Sequence, residues 1–244
     1  MTKTTKSEIE EAVYGFFNAL MATFSISSKI DICRAITENL QDTDGNASAY
    51  PEDLTPTPQL QCAIKNNGFI YGGSGATRLC LFYKNLAIKI EKAHPGQLYG
   101  GSTIRKCLLN ENKNELDNYV NIISSYPLMK ICMSPIIHSF SIANSNIVLV
   151  MPLLTSYHYT NFTEEDEYNA DKEALIRSFF ADTGSANYGI YQNETFLLDY
   201  NVEDNEYDDY NRETAKKAMV ILGTHKERVE QSKVIIREME QFLA

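Results

Sequence analysis

Apolar residues recur at Ile9, Val13, Phe16, Phe17 and Leu20, the spacing that lines one face of a helix. Ser7 followed by Glu10 has the capping-box pattern at its start. After a Ser-rich break at Ser25 to Ser28 the theme continues through Ile30, Ile32, Ala35, Ile36 and Leu40, so residues 7–40 predict two helices. Residues 41–58 are rich in Asp, Pro, Ser and Gly and read as a linker, followed by a short helix from Gln59 to Lys65.

The period changes after Asn67. Phe69, Ile70 and Tyr71 lead into a glycine turn, and Leu79, Leu81 and Tyr83 then alternate as in a strand. Lys84-Asn85 reverses the chain into a second strand, Leu86 to Ile90. Residues 104–125 predict a helix whose apolar face is Leu108, Leu109, Leu116, Val120 and Ile123, closed by Pro127. Ile131 to Ile142 and Ile147 to Leu154 read as a strand pair around a polar turn. A polar, acidic stretch covers 156–170, and Ala174 to Phe180 reads as the end of a helix. Tyr188 to Tyr191 and Thr195 to Asp199 form an expected hairpin. An acidic loop, Glu203 to Asp209, precedes helical material from Arg212 to Phe242.

Composition narrows the class. A hydrophobic share of 43% with 22% charged residues is that of a soluble globular chain, and 244 residues suffice for one large or one two-lobed domain. The formal net charge of −10 repels a phosphate backbone, which argues against broad nucleic-acid binding. The five Cys contain no CxxC pair, which speaks against a zinc site or a disulfide framework and for a reducing cytosol. No signal peptide is expected, and Val13 to Phe24 is too short and too interrupted to span a bilayer. The expected location is cytoplasmic, without a membrane partner.

Four motifs carry candidate chemistry. Gly73-Ser74-Gly75-Ala76-Thr77-Arg78 follows Gly72; glycines let a backbone approach a phosphate and turn consecutive N–H groups toward it. The run lacks the Gly-Lys-Ser/Thr of a Walker loop and suits an ordinary hairpin turn as well. Ala87-Ile88-Lys89 puts a Lys within an apolar strand, where it is either paired with an anion or exposed at a sheet edge. A helical Glu would fix the rotamer of such a Lys; Glu115 comes first, with Glu111 one turn earlier as the alternative. Last, Asp182 is followed five positions on by Asn187, and then by Leu197-Leu198-Asp199 at the end of the hairpin. Carboxylate and amide oxygens are the ligands a hard Mg2+ ion prefers.

In this order the motifs resemble the protein-kinase-like fold, and more closely the small serine/threonine kinase-like proteins of bacteriophages and bacteria. The residues carrying the likeness are Gly73 to Arg78, Lys89, Asn112 with Glu115, Asn187-Tyr188-Gly189 and Leu198-Asp199-Tyr200-Asn201. The resemblance covers about residues 67–201 and implies ATP and Mg2+ as ligands and a protein as substrate or regulated partner. It implies that Gly73, Ser74, Gly75, Ala76 and Lys89 meet the phosphates, that Glu115 positions Lys89, and that Asp182 accepts the proton of a substrate hydroxyl. Asn187 and Asp199 would hold the metal, and Met151 to Leu154 would be a hinge meeting adenine.

The chain departs from the pattern where Phe180-Ala181 replaces His-Arg, where Gly184 replaces a Lys or Arg, and where Asn201 replaces a Gly. Loss of the positive charge at Gly184 removes stabilisation of the transferring phosphate. A catalytically weak or dead relative acting as a binding module is therefore the alternative. The expected fold is α+β and two-lobed: a helical extension and linker at 1–58, a smaller lobe with its hinge at 59–155, and a reduced, mainly helical lobe at 156–244.

Overall fold

The apolar stripe of the first predicted helix is the buried face of α1 (Lys6–Phe24), where Ile9, Val13, Phe16, Phe17 and Leu20 are all buried. The helix begins earlier than the capping-box reading expects. Thr5 is the N-cap and its side chain accepts from the Glu8 N–H at 3.2 Å, while Ser7 lies inside the first turn and bonds Glu11 at 3.1 Å. Ser25, in the left-handed region with φ 53°, ends it. Ser28 caps α2 (Lys29–Glu38), and Thr57 with Pro58 at the first helical position starts α3 (Pro58–Asn66).

The computed structural model describes residues 3–26, 28–41, 54–75, 77–93, 110–142, 146–156, 166–180, 187–200 and 209–243. The expected linker has paired ends: β1 (Leu40–Gln41) lies antiparallel to β2 (Thr55–Pro56), and residues 42–53 fall outside the described set. The chain divides into two compact units. The first comprises Met1–Lys113, Ile137–Leu153 and Phe242–Ala244, and the second Asn114–Ile136 and Leu154–Gln241.

The first unit is built on a five-stranded antiparallel sheet. Its strands are β3 (Ile70–Ser74), β4 (Arg78–Tyr83), β5 (Leu86–Glu91), β6 (His138–Ile142) and β7 (Asn146–Pro152), in the order β3-β4-β5-β7-β6. Lys84, with φ 54°, makes the turn between β4 and β5. Alternation sends Leu79, Leu81, Ile88, Ile90, Val148 and Val150 to one face, where they share a core with the α1 stripe and with Leu60 and Ile64 of α3. The helices expected to stand ahead of the sheet as an extension thus cover one side of it, since neither the α1 stripe nor the sheet face can stay in water. Both chain ends belong here: Thr4 bridges to Leu243 in parallel, and Leu243 joins the core.

The strand expected from Ile131 starts only at His138. Pro127–Ile131 is a 3-10 turn, and Pro127 and Pro135 offer no ladder N–H ahead of the strand.

The second unit holds most of α4 (Glu111–Ser125), of which the unit takes the part from Asn114 onward. The expected helical residues 104–109 lie outside the described set. The buried positions of α4 are Asn112, Glu115 and Tyr119, whereas Val120, expected on its apolar face, is exposed. The unit also contains α5 (Glu167–Arg177), α6 (Asp209–Thr224) and α7 (Lys226–Glu240). The expected hairpin is β9 (Tyr188–Tyr191) with β10 (Glu194–Leu197), and β8 (Thr155–Ser156) joins it in a three-stranded antiparallel sheet ordered β10-β9-β8. Gln192 and Asn193, both at positive φ, make the tight turn of the β9–β10 hairpin.

The start of α5 falls in the stretch read as merely polar, because much of its buried face is itself polar. Lys172 is 0% exposed and its ammonium lies 3.0 Å from the Glu194 carboxylate on β10, itself 2% exposed. Ser232 of α7 donates to the same Glu194 oxygen, and Tyr168 shares a hydrogen bond with Ser232. The ammonium also lies 4.3 Å over the Phe196 ring. Among the described residues, no helix is long and apolar enough to cross a membrane.

Candidate functional site

In the first unit the glycine turn joins β3 to β4. The register shifts between Tyr71 and Gly73, a bulge with Gly73 at φ +139°, which favours glycine over any residue with a side chain. Gly72 is needed for space, because a Cβ there would sit 2.4 Å from the Phe82 ring. Ser74 is buried, with its hydroxyl 3.3 Å from Gly75 O. The Gly75 N–H donates to Arg78 O at 2.9 Å and so closes the hairpin on itself. Ala76 lies outside the described residues.

Lys89 is on the third strand of the sheet, half-buried, directly opposite Cys80, which in turn stands opposite Gly73. Its neighbours Ile88 and Ile90 point into the core, so Lys89 points to the other face. Ala87 on β5 and Met151 on β7 are cross-strand partners, and Leu149 faces Lys89, so Gly73, Cys80, Ala87, Lys89, Leu149 and Met151 share that face. Met151 is buried there in a regular strand that ends at Pro152. At the far end of this sheet Arg78 stands opposite Glu91, both buried. Lys92 follows, and burial holds its ammonium down to about 8.

The second unit brings Asn187 and Asp199 together. The last pair of the β9–β10 hairpin is Leu197–Tyr188, so Asn187 and Asp199 emerge from the same end of it. The Leu198 N–H donates to Asn187 O at 2.7 Å, which ties the residue before Asp199 to the other candidate. The strand end is anchored from outside: Leu197 N–H donates to Cys132 O, and Ser134 N–H to Leu197 O, both at 2.9 Å. Tyr200, fully buried, donates its hydroxyl to Ser134 O and stacks on Tyr119 at 5.4 Å, while Asn118 donates to Tyr200 O at 3.0 Å.

Burial first, then the charges of Tyr119, Glu115 and Asp199, push the Tyr200 hydroxyl far above its ordinary value. Glu115 and Asp199 are therefore electrostatic neighbours of one phenol. Glu115 is buried, whereas the alternative, Glu111, is half-buried in the first turn of α4. Asp182 lies outside the described residues, as do Ala181 and Gly184.

Sequence reasoning missed several partners of these residues. Asn118, Tyr119 and Ser134 hold the Asp199-Tyr200 segment, but each is an unremarkable residue in one dimension. Asn112, noted in the sequence only for its spacing from Glu115, makes three hydrogen bonds.

No protein family and no curated protein matches the chain. Among solved structures, the co-crystal structure of WbdD and the kinase inhibitor LY294002 is similar over 55% of this chain and 34% of that chain, at 17% identity and a TM-score of 0.35. This chain thus spans about a third of that chain's length. A superposition at that level assigns neither a fold family nor an activity.

Proposed function

We propose that the chain is a kinase-like protein that binds ATP and transfers its γ-phosphate to Ser or Thr of a protein. The observation that carries this reading is the placing of Lys89. It sits on the third strand of an antiparallel sheet, two strands after a glycine bulge, on the face opposite the apolar core. Protein kinases carry their phosphate-binding Lys on the third strand beneath a glycine-rich loop. In the second unit, the shared hairpin end of Asn187 and Asp199 supports a metal role, because it offers one amide and one carboxylate oxygen. Mg2+ takes few protein ligands and leaves its other positions to phosphate and water. Bound there, it would neutralise charge on the β- and γ-phosphates.

In this reading Lys89 orients the α- and β-phosphates, and Met151 with Ala87 borders the base. Glu115 positions Lys89, and Asp182 accepts the proton of the attacking hydroxyl. The expected cofactors are ATP and Mg2+, and the expected partner is a protein. A second reading, a binding module with little or no turnover, is favoured by Phe180. Where the pattern has His-Arg, this residue is an apolar side chain buried in the second unit.

A melting titration with ATP and Mg2+ tests the common part. At about 1,000-fold over Kd, nucleotide should stabilise the fold by about 4 kcal/mol. No shift at millimolar ATP removes both readings. Transfer of labelled phosphate that is lost in Asp182→Ala selects the enzyme; binding without transfer selects the module.

A further inference from the structure

The pairing of β5 with β7 runs from Leu86–Pro152 to Lys89–Leu149 and stops there. Just past this point one side chain bridges the two strands. Asn112, 0% exposed in the first turn of α4, donates its Nδ2 to Lys89 O at 2.9 Å and to Ile147 O at 2.7 Å. Its backbone N–H donates to the buried Glu91 carboxylate at 2.9 Å. All four residues belong to the first unit. The carboxamide supplies two donors to two carbonyls at the end of the ladder, and no other side chain of this size and neutral charge does so. Two carbonyls in front of one amide also settle its orientation, since the flipped form would oppose oxygen to oxygen.

We propose that Asn112 is a positioning residue for nucleotide binding. By holding the Lys89 carbonyl and the Ile147 carbonyl in one grip, it sets where the Lys89 ammonium meets the phosphates. This rests on the nucleotide-binding reading of Lys89. A structural staple alone would affect all ligands of the unit alike. A positioning residue affects only the part of affinity that comes from the phosphates, because the base lies against other residues.

The test compares ATP with adenosine by calorimetry in wild type, Asn112→Asp, Asn112→Ser and Lys89→Ala. Asn112→Asp keeps the shape but turns an oxygen toward the two carbonyls; Asn112→Ser removes the bridge. Wild type should prefer ATP over adenosine by about tenfold or more, the worth of a charge-assisted hydrogen bond. Lys89→Ala should lower that preference by about tenfold. Both Asn112 variants should lower it too, with adenosine affinity unchanged. A parallel fall for both ligands, or an unchanged preference, overturns the positioning role while leaving nucleotide binding intact. Absence of ATP binding in wild type, or an intact preference in Lys89→Ala, overturns the underlying reading and this inference with it. If neither Asn112 variant folds, the wild-type chain answers by nuclear magnetic resonance. The Asn112 side-chain amide signals should move with ATP and stay with adenosine; equal movement with both overturns the proposal.

Discussion

Lys92 illustrates how a single residue's burial becomes a measurable property. It follows the last residue of β5, is buried, and its N–H donates to Thr77 O at 2.8 Å beside the glycine hairpin. Burial disfavours the ammonium, so its native value falls from 10.5 to about 8. Between those two values the unfolded chain holds a proton that the native chain has lost, so stability rises with pH across that window. The gain is complete only above the unfolded value, and the penalty is fully present below the native one. Buried tyrosines act in the opposite direction from about pH 10 upward, since Tyr71 is raised to about 12 by burial. The informative range is therefore pH 8 to 9.5. In urea unfolding across it, the wild type should gain about 1–2 kcal/mol relative to Lys92→Met. A constant difference between the two proteins would contradict the burial argument.

At the scale of elements, the Lys172–Glu194 pair joins α5 to β10, and Ser232 adds α7 to the same oxygen. Both charges are out of water, so their attraction does little more than offset desolvation. Removing one partner is different, because the other then remains charged in an apolar setting. Lys172→Met should lower stability by about 3–5 kcal/mol, and Lys172→Met with Glu194→Leu should recover most of that loss. Chemical denaturation of the three variants gives the coupling; additive losses would show that the pair acts independently. The element at stake is the strand that leads into Asp199.

At the scale of the whole molecule, the two chain ends close one unit. Leu243 is 8% exposed, belongs to the core beneath the sheet and bridges to Thr4. Burying a leucine is worth about 1.5–3 kcal/mol. A chain ending at Phe242 should lose about that much, and amide exchange should rise first in α1 and β6, which share that core. Protection unchanged in α1 would mean that the end contributes nothing to the core.

Local pattern determined the amphipathic helix at Ile9 to Leu20, the glycine turn, the Lys84 turn and the tight hairpin before Asp199, because each depends only on neighbours in sequence. It also determined which residue types could serve a phosphate and a metal. Tertiary structure decided what these elements rest on. The α1 stripe needed the sheet to become a core. The buried face of α4 is Asn112, Glu115 and Tyr119, and that of α5 includes Asn169 and Lys172. Buried polar side chains are mostly satisfied by a hydrogen-bond partner, and for Asn112, Lys172 and Asn169 partners come from other elements, which leave no signature in the residue's own segment. For that reason the carboxamide that grips the Lys89 strand, and the ion pair behind the Asp199 strand, became visible only once the chain had folded.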